Sequence, residues 1–236
     1  MKIAIMNYTG TVGKTTVVAH LLAPRMKNAP VFAIETINET AEGLGVNVSK
    51  IRGEKFRELF KELLSIDDAI IDVGASNVED FLDGMVRFDD SHLEIDRFFV
   101  PTTSGIKEQK ETMLMLGTLA DFGIPPEKIH VIFNRVEADV QDEFPHILSY
   151  ARKERNCTAN PNAAIFENEV FDMLAMRRLT ISAALDDDTN YKEKLRGLGR
   201  EGDPKLISLY ADMHVIKALA KSVNRNLDTV FSMLTA

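Results

Sequence analysis

The residues whose types and spacing suggest chemistry most clearly are Gly10-Thr11-Val12-Gly13-Lys14-Thr15-Thr16, near the start of the chain. Glycines allow the backbone to bend so that successive N–H groups face an anion. Lys14 would neutralise β- and γ-phosphates, and the hydroxyl of Thr15 would bind Mg²⁺. The sequence therefore predicts a phosphate-binding loop over residues 9–16, with Gly10 to Thr16 as contacts to a nucleoside triphosphate.

The surroundings of this loop favour the same interpretation. Residues 2–7 are an apolar stretch typical of a buried strand, and a helical pattern from Thr15 to about Leu22 follows the loop. A helix that starts at the loop adds the positive end of its dipole. The strict P-loop pattern would place its first glycine at Tyr8, so this loop is a variant. A glycine-rich turn with a solvated lysine is the alternative.

Two acidic residues accompany predicted strands. Ala69-Ile70-Ile71-Asp72-Val73 predicts a strand with Asp72 near its carboxyl end, and Glu35 follows an earlier apolar run. Beside a phosphate loop, Asp72 is well placed to hold Mg²⁺ through water, whereas an acid that caps a loop is the alternative. We take Asp72 and Thr15 as candidate metal ligands, and Lys14, Asp72 and Glu35 as candidate catalytic residues.

Positioning these residues requires a sheet whose strands end at one edge. Short apolar runs alternate with longer amphipathic stretches, which predicts βαβ units. The expected fold is α/β, a mostly parallel twisted sheet flanked by helices, in a single domain over residues 1–236. Residues 185–204 are rich in charge and glycine and predict a loop or a mobile helix–loop region. Two helices are expected beyond it, one after Pro204 and one from about Leu227 to Leu234.

The composition excludes several other classes of protein. With 45% hydrophobic and 27% charged residues, the chain is typical of a globular protein. One cysteine, Cys157, allows neither an internal disulfide nor a cysteine-based metal site within one chain. A net charge of −8 argues against binding nucleic acid by overall attraction. No apolar run approaches the roughly 20 residues that span a bilayer, and a cytoplasmic location is the default expectation.

The loop resembles the deviant Walker A loop of the ParA/MinD family, SIMIBI-like P-loop ATPases with the pattern Lys-Gly-Gly-x-Gly-Lys-Thr-Thr/Ser. The residues that match this pattern are Gly10, Gly13, Lys14, Thr15 and Thr16. Thr11 replaces the second glycine, and Thr9 replaces the signature lysine, which in the family reaches the partner's phosphates across a nucleotide-sandwich dimer. The resemblance implies ATP and Mg²⁺ as cofactors and a homodimer as one candidate assembly. The missing lysine predicts slow hydrolysis.

The resemblance also implies roles for Gly74 and Glu35. Gly74 resembles the family's switch glycine, whose backbone meets a γ-phosphate. Glu35 stands for the first acid of the family's Asp-x-Asp-Pro motif, but Ile37 occupies the position of the second acid, which orients the attacking water. Asn38 or Glu39 is a candidate substitute for that acid, and its loss would also predict slow hydrolysis.

Asn134 and Arg135 resemble the family's Asn-Arg motif, in which the amide contacts the purine and the guanidinium stacks. An amide both donates and accepts hydrogen bonds, which suits adenine, and ATP is favoured. A guanine site would need a carboxylate, and Glu137 lies nearby in the sequence. A simple turn residue is the alternative interpretation of Asn134.

The loop, residues 71–76 and residues 171–180 together look like the plasmid StbB/TraL group of ParA-like proteins. That resemblance implies positioning of plasmid DNA for stable inheritance or conjugative transfer, with an StbA-type adaptor that binds the DNA. Three hypotheses remain: an ATP-driven switch, a nucleotide-binding interaction module that has lost efficient hydrolysis, and a small-molecule enzyme on the same fold. The third has least support, because a reductase needs more cysteines and no ligase pocket is identifiable.

Overall fold

The computed structural model describes residues 1–35, 41–52, 55–199 and 202–236. Within these ranges seven strands form one sheet, and every strand pairing is parallel. The strands are β1 (Lys2–Ile5), β2 (Val31–Ile34), β3 (Ser49–Ile51), β4 (Ala69–Val73), β5 (Arg97–Thr102), β6 (Ile129–Val136) and β7 (Ala164–Phe166). Their order, β3-β2-β4-β1-β5-β6-β7, places β1 at the centre. The predicted α/β fold with a parallel sheet and flanking helices is confirmed.

Helices cover both faces of the sheet. Successive side chains of a strand point to opposite sides, and both sides of this sheet carry apolar side chains. On β1, Ile3 and Ile5 belong to one apolar cluster, whereas Ala4 and the following Met6 belong to the other. The α-helices of the described ranges are α1 (Lys14–Val17), α2 (Phe56–Leu63), α3 (Val78–Arg87), α4 (Ile106–Asp121), α5 (Val140–Glu143), α6 (Pro145–Glu154), α7 (Val170–Arg177), α8 (Ile181–Asp186), α9 (Tyr191–Leu198) and α10 (Pro204–Thr235).

The helix predicted from Thr15 to Leu22 differs in type from the expectation. It begins as α1 and continues as a π-helix over Val18–Leu22, a wider turn that local sequence does not reveal. Four 3₁₀ turns also occur in the described residues, at Ala41–Leu44, Ala75–Asn77, Ser91–Glu94 and Pro126–Lys128.

The prediction of two separate helices after Pro204 is wrong, because α10 is continuous. Pro204 occupies its first turn, where a missing N–H costs nothing, and the Asp203 carboxylate accepts from the N–H of Lys205 at 2.8 Å. No glycine or proline interrupts residues 205–235, and the buried residues of α10 recur at helical spacing along its whole length. The charged region 185–204 also contains a helix, α9, whose N-cap is Asn190. None of the helices in the described ranges is long and apolar enough to cross a membrane.

The parallel arrangement brings the carboxyl ends of the strands to one edge of the sheet, where ligands of open α/β sheets bind. The glycine-rich loop leaves β1 at this edge, and Glu35 directly follows β2. Asp72 lies on β4, beside Ile5 of β1 and Ala33 of β2 in the strand register. Residues that are far apart in the sequence therefore meet beside the loop.

Candidate functional site

The turn into α1 depends on glycine at position 13 for two reasons. Gly13 has φ 77° and ψ 32°, the left-handed conformation that glycine adopts without strain. A Cβ atom at this position would also lie 2.5 Å from Nδ2 of Asn134, whose side chain donates to the Val12 carbonyl at 2.8 Å. The start of α1 is thereby fixed against the end of β6.

Lys14 is a buried cation at the centre of the loop, with 5% of its surface exposed. Its Nζ donates to the carbonyl of Thr9 at 2.8 Å and to that of Asn7 at 3.4 Å. Burial lowers its pKa, while the charges of Asp72 and Glu35 act in the opposite direction. The ammonium group is therefore held across the loop, where phosphate oxygens would be stronger acceptors than the carbonyls it now contacts.

Asp72 and Thr15 form a pair of oxygen donors beside Lys14. The Thr15 hydroxyl donates to Asp72 Oδ2 at 3.4 Å. Burial raises the pKa of Asp72 to about 6 and Glu35 adds to the rise, whereas Lys14 and Thr15 oppose it. A carboxylate and a hydroxyl suit Mg²⁺. In the described parts of the chain, no group of three or more acidic, histidine or cysteine side chains is arranged so that it could hold a metal ion. A metal bound at Asp72 and Thr15 would share its coordination with phosphate oxygens and water.

Glu35 is held against the turn that follows β4. Its Oε1 accepts from Nδ2 of Asn77 at 3.3 Å and from the Ser76 hydroxyl at 3.4 Å. Its Oε2 lies so close to Gly74 that a Cβ atom there would be 1.9 Å away. The N–H of Gly74 donates to the Ile34 carbonyl at 2.9 Å, so the predicted contact with a γ-phosphate requires this bond to open.

The candidate positions for orienting the attacking water follow Glu35 in the sequence. Ile37, which replaces the expected second acid, and its candidate substitutes Asn38 and Glu39 lie outside the described residues. Their roles remain predictions from the sequence.

The loop and the residues just before it form hydrogen bonds with α4 that sequence analysis did not identify. The hydroxyls of Thr9 and Thr11 are 3.1 Å apart, and Thr11 donates to Oε1 of Glu108 at 3.2 Å. One helical turn further along α4, the Thr112 hydroxyl accepts from Nδ2 of Asn7 at 2.7 Å. At the position of the signature lysine, the chain thus has a series of hydroxyl contacts that ends in a carboxylate of the same chain.

A cavity of about 180 Å³ opens beside the loop, on the side of Asn134 and Arg135. Arg135 has φ 56° where the pairing of β6 with β7 is irregular, which is the kind of local strain found at functional sites. Glu137, the carboxylate considered for a guanine site, does not line this cavity. Its backbone N–H donates to the Glu143 carboxylate at 3.1 Å. The lining consists of Thr16, His20, Leu44, Asn134, Arg135, Phe166, Glu167, Phe171, Asp172 and Ala175.

His20, in the π-helix, should make folding stability depend on pH. Burial lowers its pKa to about 4, against 6.5 for an unperturbed histidine. As pH falls, the unfolded chain takes up this proton first, so the contribution of His20 is present above pH 6.5 and lost towards pH 4. The expected loss between pH 7 and pH 5 is about 2 kcal/mol. The contribution of Asp72 to folding stability changes with pH in the opposite direction, because its raised pKa favours proton uptake by the folded state.

Urea unfolding at pH 7 and pH 5 checks this prediction by comparing the loss of stability of the wild type with that of a His20 variant. Replacing His20 by phenylalanine should make the free energy of unfolding less sensitive to acid than in the wild type, by about 2 kcal/mol. His146→Phe, at an exposed position on α6, is the matched control. An identical loss of stability in wild type and His20→Phe would contradict the prediction.

With this geometry established, comparison with solved structures defines the class of fold, that of the MinD and ParA ATPases. The chain is similar to the MinD cell division protein of Aquifex aeolicus, with 14% identity over 96% of each chain and a TM-score of 0.56. It is also similar to the septum site-determining protein MinD of Pyrococcus horikoshii OT3, solved with Mg-ADP, with 18% identity, 90% and 93% coverage and a TM-score of 0.54.

A ParA family ATPase from Chlorobium tepidum TLS shares 14% identity over 75% of this chain and 88% of that chain, with a TM-score of 0.50. At such identities the likeness shows the fold alone. No protein-family model matches the chain, and no curated protein is significantly similar to it in sequence.

Proposed function

We propose that this chain is a nucleotide-dependent switch ATPase of the ParA/MinD type that binds ATP with Mg²⁺. The observation that carries the proposal is the buried Lys14 ammonium group at the carboxyl edge of the central strand, beside Asp72 and Thr15. The loop N–H groups and Lys14 would bind the phosphates, and Thr15 and Asp72 would hold the metal. Bound Mg²⁺ would supply charge neutralisation on the phosphate oxygens.

The switch in this proposal is the segment that joins β4 to α3. In the structure, the Gly74 N–H donates to the Ile34 carbonyl, and the Glu35 carboxylate accepts from Ser76 and Asn77. A γ-phosphate that competes for the Gly74 N–H, and for the neighbourhood of Glu35, would favour a different arrangement of this turn. Ordering of such loops by a terminal phosphate is an established kind of switch.

Slow hydrolysis is part of the proposal. Thr9 carries a hydroxyl where the resemblance calls for a lysine, and a threonine is too short to contact phosphates in a partner subunit. Ile37 cannot orient water. Loss of one group that stabilises charge in a transition state commonly costs about 3–4 kcal/mol, a 10²–10³-fold slower reaction.

The cellular role that we propose is the positioning of plasmid DNA for stable inheritance or conjugative transfer, as in the StbB/TraL group. The net charge of −8 favours contact with DNA through an StbA-type adaptor rather than directly. We propose a single domain over residues 1–236, acting as a homodimer in the cytoplasm. The rate at which cells lose the plasmid that encodes the chain, with and without Lys14→Ala, tests this role.

The second candidate function is a nucleotide-binding interaction module without efficient turnover. The Thr9–Thr11–Glu108 contacts favour it, since they engage the loop within one chain and place a carboxylate beside the loop.

A phosphate-release assay with ATP and Mg²⁺ separates the two functions. A wild-type rate clearly above that of Lys14→Ala supports the switch ATPase. Equal background rates, together with measurable ATP binding by the wild type, support the module. Failure of the wild type to bind ATP in direct titration would refute both.

A further inference from the structure

His20 is a buried residue that neither the phosphate loop nor the metal site uses. It lies in the π-helix with 2% of its surface exposed, and its ring packs against Phe171 with 5.5 Å between the centroids. Its Nδ1 lies 3.2 Å from the backbone nitrogen of Ile181, whose N–H donates to it. The ring is therefore fixed in position from the side of α8.

This hydrogen bond determines where the proton of the imidazole resides. A ring nitrogen that accepts a hydrogen bond carries no proton, so the neutral ring has its proton on Nε2. Burial lowers the pKa of His20 to about 4, and the ring is neutral near pH 7. Nε2–H is consequently a fixed hydrogen-bond donor.

The Nε2 donor is not used by the protein in the described part of the chain. Among the described residues, the hydrogen bond to the ring comes from the Ile181 N–H, and it engages Nδ1 rather than Nε2. The open space that His20 lines is the 180 Å³ cavity beside the loop.

The chemistry of this cavity suits a nucleoside. Thr16 connects it to the phosphate loop, and Phe166 and Phe171 contribute aromatic side chains to its lining, which suits a planar ring. Amide, guanidinium and carboxylate groups are also present at Asn134, Arg135 and Glu167. The volume is below the roughly 300 Å³ of sites for drug-sized ligands, which fits a ring system better than a whole nucleotide.

The π-helix places His20 at this cavity and is stabilised by contacts with residues outside it. Its wide turn is seen in the bond from the Ala23 N–H to the Val18 carbonyl, at 2.9 Å. The Arg25 guanidinium donates to the carbonyls of His20 and Leu21 at 3.0 and 3.1 Å, and it is anchored by Asp228 of α10 at 2.6 Å. The unusual turn is therefore built into the fold.

We propose that His20 donates its Nε2–H to an acceptor atom of the nucleoside, a ring nitrogen or a ribose oxygen, and so contributes to nucleotide selection. The proposal rests on the proposed function, because it requires that ATP occupy the site. It adds a residue that selects the nucleoside independently of the groups that bind the phosphates.

The test compares Mg-ATP with Mg-tripolyphosphate, which contains no nucleoside, in titrations of wild type and His20→Phe. We expect the variant to bind ATP about tenfold more weakly and tripolyphosphate with unchanged affinity. His146→Phe, exposed on α6, should bind both ligands as the wild type does. Equal ATP affinity of wild type and His20→Phe would overturn the inference, whereas failure of the wild type to bind ATP would refute the proposed function instead.

A second measurement avoids the possibility that His20→Phe disturbs folding. In wild-type protein labelled with ¹⁵N-histidine, ATP should shift the Nε2–H resonance of His20, and tripolyphosphate should leave it nearly unchanged. An unchanged resonance at saturating ATP would contradict a direct contact, even if the affinity of the variant were reduced.

Discussion

Replacement of Lys14 by alanine is expected to weaken ATP binding by about 2–5 kcal/mol, at least roughly 30-fold. The lysine is buried, and its Nζ already points across the loop towards the carbonyls of Asn7 and Thr9. Charge-assisted bonds to phosphate would replace these weaker contacts, and no other residue in the loop carries a positive charge. Without the ammonium group, a polyphosphate would meet the carboxylates of Asp72 and Glu35 uncompensated.

Titration with a fluorescent ATP analogue measures this loss. Lys27→Ala is the matched control, since Lys27 is an exposed lysine outside the loop. Thermal unfolding of Lys14→Ala without nucleotide shows whether the variant is folded. A folded Lys14→Ala protein that binds ATP as tightly as the wild type would refute the role of the loop.

Replacement of Asp72 by asparagine is expected to remove most of the dependence of ATP binding on Mg²⁺. In the wild type, Mg²⁺ should strengthen ATP binding at least tenfold, about 1.4 kcal/mol, because the Asp72 carboxylate and the Thr15 hydroxyl offer it two oxygen donors. Asparagine keeps an oxygen acceptor for Thr15 but lacks the negative charge. Burial disfavours the charged form of Asp72, so the variant is expected to remain folded.

The measurement is the ratio of ATP affinities with Mg²⁺ and with excess chelator, for wild type and variant. Asp80→Asn, an exposed acid on α3, controls for the change in net charge. If the ratio for Asp72→Asn equals that of the wild type, Asp72 does not hold the metal. A ratio near one in the variant alone would support the assignment.

The glycine-rich turn before α1 and the class of fold were accessible to sequence analysis because both are encoded locally. The strand over Ala69–Val73 was predicted with its observed bounds, since a mostly apolar run is typical of a buried parallel strand. The spacing of glycines around Lys14 identifies the loop through backbone geometry alone, and Gly13 indeed adopts a positive φ.

Other features were missed because their causes lie far away in the chain. The apolar segment that contains His20 has the sequence pattern of an ordinary α-helix. In the structure it is a π-helix, and Arg25 donates to the carbonyl of His20 in it. Arg25 is held in turn by Asp228, which lies 203 positions further along the chain. The tether from Thr11 to Glu108 spans 97 positions, and no local pattern indicates it. The continuity of α10 was also misjudged, although here the absence of glycine and proline was a local signal.

By itself, the sequence determined the glycine-rich turn around Lys14 and the alternation of strands and helices, because spacing and periodicity act over a few residues. Only the tertiary structure decided which side chains meet near that turn: Glu35 against Gly74, Asn134 against Gly13, and His20 at the neighbouring cavity. Such contacts depend on packing between elements that are distant in the chain, and that packing is a property of the whole fold.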